Sequence, residues 1–132
     1  MMLNWWAIIV AAVAQWLLGW AWYGPLFGKT WVALSGHSME GGSKKEGMKA
    51  MIWGLVFAIV MSSVLAYVIS IVPNLTVACG ALVGALLWLG FIAATQINSV
   101  LFERKSIKLF VLNSGYYLVA LVVMGLILAA WR

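Results

Sequence analysis

The chain has 132 residues, of which 66% are hydrophobic and only 8% are charged, and its net charge is +5. Soluble domains carry roughly 25% charged residues, so this composition argues against a water-soluble domain of this length. The net positive charge would also be compatible with binding to nucleic acid. Basic residues that flank apolar segments are better explained as signals that set membrane orientation, and we expect no nucleic-acid partner.

The charged residues fall in two short stretches, at 29–49 and 103–108, and at position 132. Four apolar runs lie between them, at 3–23, 50–72, 75–100 and 107–131. With about 20 or more residues each and a rise of ~1.5 Å per residue, all four can cross the ~30 Å hydrocarbon layer. We therefore predict an all-α fold, an integral membrane four-helix bundle that forms a single membrane domain over residues 1–132.

In chain order, we predict transmembrane helices at 3–23, 48–72, 75–100 and 107–131, with cytoplasmic loops at 24–47 and 101–106. The first run has no Lys or Arg before it and no small-residue cleavage site after it, so we interpret it as a retained helix rather than a signal peptide. Both loops contain basic residues, whereas the turn at Pro73 and Asn74 contains none. The positive-inside rule then predicts an N-out/C-out topology.

The first loop begins with its own short element. Gly24 and Pro25 should end the first helix, because proline disfavours helical backbone at the residue before it. Phe27, Trp31 and Leu34 follow at i, i+4 and i+7, a spacing typical of an amphipathic helix in the membrane interface. The alternative is a loop whose aromatic side chains only anchor it at headgroup depth.

Small residues predict how the helices associate, because close approach and hydrogen bonds drive packing in lipid. The candidate packing seam, within one protomer or between protomers, consists of Gly54, Ala58, Ser62, Gly80 and Gly84.

The start of the second helix is also predicted. Ser43 and Glu46 form a capping-box pattern that places this start near Lys44.

Polar residues gather near the cytoplasmic ends of the third and fourth helices. At about 100° per residue, Thr95 and Asn98 share a face with Gly80 and Gly84, whereas Gln96 points away from it. Buried amides need hydrogen-bond partners in lipid. The predicted polar cluster, either a structural clamp or a site for a small ligand, comprises Thr95, Asn98, Asn113 and Tyr117.

Several chemistries lack candidate residues in the sequence. Apart from Lys108 at the boundary of the last run, the apolar runs hold no acidic, basic or histidine side chain, so the intramembrane glutamate of the small multidrug antiporters has no counterpart. His37 and Cys79 are each the single residue of their type, so we expect neither a metal site nor a cofactor. We predict that the protein is not an enzyme.

The motif after the first helix, the interfacial motif, contains Trp22, Tyr23, Gly24, Pro25, Phe27, Lys29 and Trp31. Shorter patterns follow in the second half of the chain: Leu89-Gly90-Phe91, Asn98, Leu101-Phe102-Glu103-Arg104, Asn113 and Gly115-Tyr116. Through these residues, and most of all through the interfacial motif, the chain resembles the family called "domain of unknown function 1761" over nearly its whole length. The resemblance implies a small prokaryotic four-helix protein, hence a multi-pass protein of the cytoplasmic (inner) membrane, and it implies no activity.

These observations predict a non-enzymatic membrane protein that contacts lipid and self-associates as a homo-oligomer. Its polar cluster is expected to be structural or to bind a small ligand or lipid, whose identity the residues leave open. The alternative function is an oligomeric channel or an uncoupled carrier for a small solute, lined by amides and hydroxyls instead of charges.

Overall fold

The computed structural model describes residues 4–35 and 44–131. All of its regular structure is helical, and the described part of the chain contains no strand. In chain order the elements are α1 (Trp5–Ala21), π1 (Trp22–Leu26), α2 (Gly28–Ser35), α3 (Lys44–Ser70), α4 (Val77–Leu87), π2 (Trp88–Ala93), α5 (Ala94–Leu101) and α6 (Ile107–Ala130). Here π1 and π2 are single π-helical turns.

Four helices among the described residues are long and apolar enough to cross a membrane, which confirms the predicted fold class. They cover Trp5–Leu26, Met48–Ser70, Val77–Leu101 and Ile107–Ala130. Since α3 begins at Lys44, it extends about one turn ahead of its apolar span. His37 and the capping box of Ser43 lie outside the described residues.

Polar side chains cap the helix starts, where backbone N–H groups would otherwise lack acceptors. Asn4 accepts from the Ala7 amide, Thr76 from the Cys79 amide, and Ser106 from the Lys108 amide. Asn4 also donates its side-chain Nδ2–H to the carbonyl of Trp131 at 2.9 Å. The beginning of α1 and the end of α6 are therefore joined directly.

The helices pack as antiparallel neighbours, with α1 against both α3 and α6, and α6 against α4. The core lies where α1, α3 and α6 meet, and its fully buried large side chains include Ile8, Leu65, Ile69 and Met124. The fourth span is the most enclosed, with 44% of its apolar window buried, against 17–28% for the other three. Thus α6 is the central helix, and much of the other three faces outward.

Glycines allow α4 and α6 to approach until their backbones touch. A Cβ added to Gly80 would collide with the carbonyl oxygen of Gly125, and one added to Gly84 would collide with the Leu121 carbonyl. Small residues are favoured at such membrane helix interfaces because they permit this approach. Two members of the predicted seam therefore lie inside the protomer, at the α4–α6 contact.

The small residues of α3 lie against α1 over part of their length. Ala58 and Ser62 are buried, and the Ser62 hydroxyl donates to the Ile8 carbonyl at 2.8 Å. Gly54 differs, because it is exposed and the nearest atom to an added Cβ, Trp16 Cδ1, is 4.0 Å away. The contact between α1 and α3 therefore loosens toward the end of the bundle that carries the basic loops, which we call the basic end (residues 19–35, 44–54 and 96–113).

Candidate functional site

The interfacial motif is attached to α6 by two consecutive residues. Trp22 donates its indole N–H to the Leu112 carbonyl at 3.1 Å, and Tyr23 donates its hydroxyl to Asn113 Oδ1 at 2.8 Å. The chain then breaks at Gly24, whose backbone is non-helical (φ −104°, ψ −106°). Because of this break, the backbone turns away from the axis of α1, while the side chains of Trp22 and Tyr23 are hydrogen-bonded to α6.

The rest of the motif folds back as α2, which packs against α6. Trp31 meets the Tyr23 ring edge-on, with centroids 6.0 Å apart, and Phe27 lies beside Trp22 at 4.8 Å. Lys29 points to the exposed side. The predicted short helix is thus present, and its aromatic side chains cover the Trp22 and Tyr23 rings in addition to any contact with a membrane surface.

The predicted face of the third span does not continue as expected. Thr95 and Asn98 are exposed, and the Thr95 hydroxyl donates back to its own helix, to the Phe91 carbonyl at 2.6 Å. The cause is π2, in which the Ala94 amide bonds to Leu89, five residues earlier. A π turn holds about one residue more than an α turn, so every later side chain is rotated by about 100°.

The same rotation brings other polar side chains inward. Gln96 and Ser99, instead of Thr95 and Asn98, line a cavity of about 560 Å³ beside α6. Asn113 and Tyr117 line it too, so the α6 half of the predicted cluster lies at the site and the α5 half does not. The remaining lining residues of this polar cavity are Tyr23, Trp31, Lys105, Leu109 and Phe110.

The loop after α5 places Lys105 on the lining of the polar cavity and Arg104 on that of an adjoining cavity. The Lys105 amide donates back to the Ser99 carbonyl at 3.1 Å, and Arg104 adopts a positive φ of 55° within this turn. A smaller adjoining cavity of about 400 Å³ is lined by both cations and again by Trp31 and Asn113. Lys105 forms an exposed ion pair with Glu103 at 3.5 Å, a contact worth about 0–1 kcal/mol and easily exchanged for another anion.

A second cavity, of about 730 Å³, lies between α1 and α3, where these helices separate. Its walls are mostly apolar and include Trp16, Trp20, Phe57 and Met61. Tyr23 and Tyr117 line both this apolar cavity and the polar cavity. The two side chains therefore form a shared wall between the cavities.

A buried polar pair lies at the edge of the apolar cavity. The Tyr116 hydroxyl donates to the backbone carbonyl of Gln15 at 3.0 Å, and Gln15 Nε2–H donates to that hydroxyl at 3.4 Å. The approach needs Gly19, where an added Cβ would come within 3.0 Å of the Tyr116 hydroxyl oxygen. Gln15 is only 8% exposed.

Four residues of the candidate sites were not predicted from the sequence: Gln15, Gln96, Ser99 and Lys105. For Gln15 a signal was present, since an amide inside an apolar run requires a partner. For Gln96 and Ser99 no signal was available, because nothing in the sequence of π2 distinguishes a π turn from continuous α-helix. The polar cavity lies at the end of the bundle where the cluster was predicted, but α5 lines it with Gln96 and Ser99 instead of Thr95 and Asn98.

Comparison with curated proteins finds no match, and comparison with solved structures finds none either. A family model does match, over residues 6–129, which is nearly the whole chain and includes the interfacial motif, both cavities and all but the outermost residues of the four spans. The chain belongs to the family described as protein of unknown function (DUF1761).

Proposed function

We propose that this protein binds an anionic lipid headgroup, or a small anion of the same chemistry, in the polar cavity at its basic end, and that it does so without converting it. One observation carries the proposal: polar groups from three elements converge there beside Lys105, and Arg104 lines the smaller cavity that adjoins it. Guanidinium and ammonium groups form strong charge-assisted hydrogen bonds with phosphate and carboxylate oxygens.

The surrounding groups suit a bound ligand more than a reaction. Gln96, Ser99 and Asn113 supply amide and hydroxyl groups that hydrogen-bond a polar headgroup, and Trp31 and Phe110 supply apolar contact for its glycerol or chain carbons. Basic clusters next to membrane spans commonly attract anionic lipids at the cytoplasmic surface. This agrees with the proposed N-out/C-out topology in the cytoplasmic membrane of a prokaryote.

The test measures lipid retention by native mass spectrometry of the purified protein. Phosphatidylglycerol and phosphatidylcholine with identical acyl chains are offered in turn, and glycerol phosphate serves as the soluble anion. We expect retention of phosphatidylglycerol, several-fold less in Lys105→Gln, and full retention in Lys108→Gln. Lys108 is the matched control because it loses the same charge but lines a separate groove with Phe27 and Val111.

Equal retention of both lipids without retention of glycerol phosphate, or an equal loss in both variants, would contradict the proposal. Retention of glycerol phosphate with no preference between the lipids would identify a soluble anion as the ligand. The lipid recovered after incubation is expected to be chemically unchanged, whereas a new product would make the protein an enzyme.

We further propose that the protein self-associates. The three outer spans leave more than two thirds of their apolar windows unburied in one protomer, and Gly54 is the seam residue that remains exposed. Gly54→Leu is expected to shift the mass measured by light scattering in detergent toward the protomer. A single-protomer mass for the unaltered protein would end this proposal.

A further inference from the structure

The apolar cavity between α1 and α3 contains a polar group that its walls do not satisfy. Gln15 lines the cavity, is more than nine-tenths buried, and its Oε1 accepts no hydrogen bond from any residue in 4–35 or 44–131. Buried polar atoms in native proteins nearly always have a partner. Gln15 lines the cavity and its oxygen is covered while the cavity is empty, so a donor bound there is the partner that a small turn of the side chain would supply.

The orientation of the Gln15 amide follows from its neighbour. The Tyr116 hydroxyl has one proton, and the shorter contact, 3.0 Å to the Gln15 backbone carbonyl, uses it. That hydroxyl can then only accept from the side chain, so the group facing it at 3.4 Å must be the Nε2–H. Reversing the amide would place two acceptors against each other. The oxygen is thus left as the free acceptor.

The shape and walls of the cavity restrict what can supply that donor. Its volume of about 730 Å³ lies in the range of small-molecule sites, roughly 300–1,000 Å³. Trp16, Trp20 and Phe57 present apolar surface, while the Trp16 indole N–H is already bonded to the Met51 carbonyl at 3.1 Å. The lining therefore offers broad apolar contact, and Gln15 Oε1 is an acceptor that has no partner among the described residues.

The cavity also opens sideways between two membrane-spanning helices. At its rim, Trp20 is 50% exposed and Phe57 is 63% exposed, on the outward faces of α1 and α3. This opening lets a molecule enter from the lipid layer. Charged molecules are strongly disfavoured there, whereas an uncharged molecule with a single polar group is not.

We propose that this cavity is a second binding site, distinct from the polar cavity, for an uncharged apolar molecule that carries one hydroxyl group. The hydroxyl donates to Gln15 Oε1, and the body of the molecule packs against Trp16, Trp20 and Phe57. The class includes phenols and long-chain alcohols. Tyr116 is a positioning residue, because it fixes the amide that receives the ligand.

The test compares 4-hexylphenol with 4-hexylanisole, its methyl ether, which has the same ring and chain but no donor. Affinity is measured in lipid nanodiscs from the rise in the thermal unfolding midpoint and from quenching of tryptophan fluorescence. We expect the phenol to bind about tenfold more tightly than the ether, the ratio that one buried hydrogen bond of about 1.4 kcal/mol supports. This comparison needs no variant, so a folding defect cannot obscure it.

Variants then locate the donor site. Gln15→Met should abolish the preference for the phenol, whereas Gln96→Met, the same substitution in the polar cavity, should retain it. Equal affinity of the unaltered protein for phenol and ether would overturn the proposal, and so would an undiminished preference in Gln15→Met. Lipid retention in the polar cavity is a separate measurement, so either site can fail without the other.

Discussion

At the scale of single residues, two adjacent serines on α3 use their hydroxyl protons in different ways. Ser62 is fully buried and bonds across to α1, at the Ile8 carbonyl, whereas Ser63 bonds to the Ile59 carbonyl of its own helix at 2.7 Å. Hydrogen bonds between membrane helices contribute on average about 0.6 kcal/mol, up to about 1.7. The Ser62 bond is therefore expected to contribute to helix association, and the Ser63 bond is not.

Ser62→Ala should lower the free energy of unfolding by about 0.5–1.5 kcal/mol, because the interhelical bond is lost. Ser63→Ala is the control and should change it by less than about half of that. Unfolding by SDS titration in mixed micelles measures both. Equal effects of the two substitutions would show that the bond from Ser62 to α1 contributes no more to the free energy of unfolding than the bond of Ser63 within α3.

Tyr23 and Asn113 offer a second test at this scale. Their bond of 2.8 Å connects the interfacial motif to α6. Tyr23→Phe and Asn113→Ala should each destabilise by about 1 kcal/mol, and the double variant should cost less than the sum, because both remove the same bond. Tyr67→Phe, on the exposed face of α3, is the neutral control. Additive effects would mean that the two residues act separately.

At the scale of whole elements, two glycines of the third span, Gly84 in α4 and Gly90 in π2, differ in whether another backbone lies beside them. A methyl group at Gly84 would reach the Leu121 carbonyl, whereas none of the described atoms outside its own turn lies within 4 Å of a methyl group at Gly90. Gly84→Ala should therefore force α4 and α6 apart at a cost of about 1–3 kcal/mol. Gly90→Ala should be neutral in the same thermal unfolding assay, and a loss there similar to that at Gly84 would contradict the packing described.

The elements differ in how far the sequence could predict them. The four spans could be predicted from the apolar runs alone, because the bilayer sets the length and the apolar content that a membrane-spanning helix must have. The short helix after Gly24 followed from proline chemistry and the spacing of Phe27 and Trp31. The orientation of α5 did not follow, because a single π turn changes the angle of every later residue and leaves no compositional signal.

The cavities were beyond sequence reasoning for a related reason. The Tyr23–Asn113 and Gln15–Tyr116 pairs join residues 90 and 101 positions apart, respectively. Only the packing of α1 against α6 brings them together. A polar residue in an apolar run predicts that a hydrogen-bond partner exists, but the sequence does not indicate which helix supplies that partner.

At the scale of the whole molecule, the described residues of the two basic stretches lie at one end, and this arrangement makes orientation testable. A cysteine introduced by Glu103→Cys in a Cys79→Ala background should resist a membrane-impermeant maleimide in intact cells and react after the membrane is permeabilised. Pro73→Cys in the same background should react at once. Labelling of the first variant and protection of the second would reverse the N-out/C-out assignment.

A flux assay tests the alternative function of the whole molecule. Liposomes that contain the purified protein are expected to release a small neutral solute no faster than empty liposomes, because the proposed role is binding. Flux in the unaltered protein that falls in Asn113→Ala would favour the channel or carrier instead. Counting protein per vesicle keeps the comparison between variants quantitative.

The hydrogen bond from Asn4 to the Trp131 carbonyl bears on whether the helices could follow one another in a different order along the chain. It places the start of one helical hairpin beside the end of the other, so the path of the backbone is nearly a closed ring. A short peptide could bridge these positions, and the ring could be reopened at the Pro73–Asn74 turn on the same side of the membrane. Such a circular permutant would exchange the order of the two hairpins and keep the direction of every span.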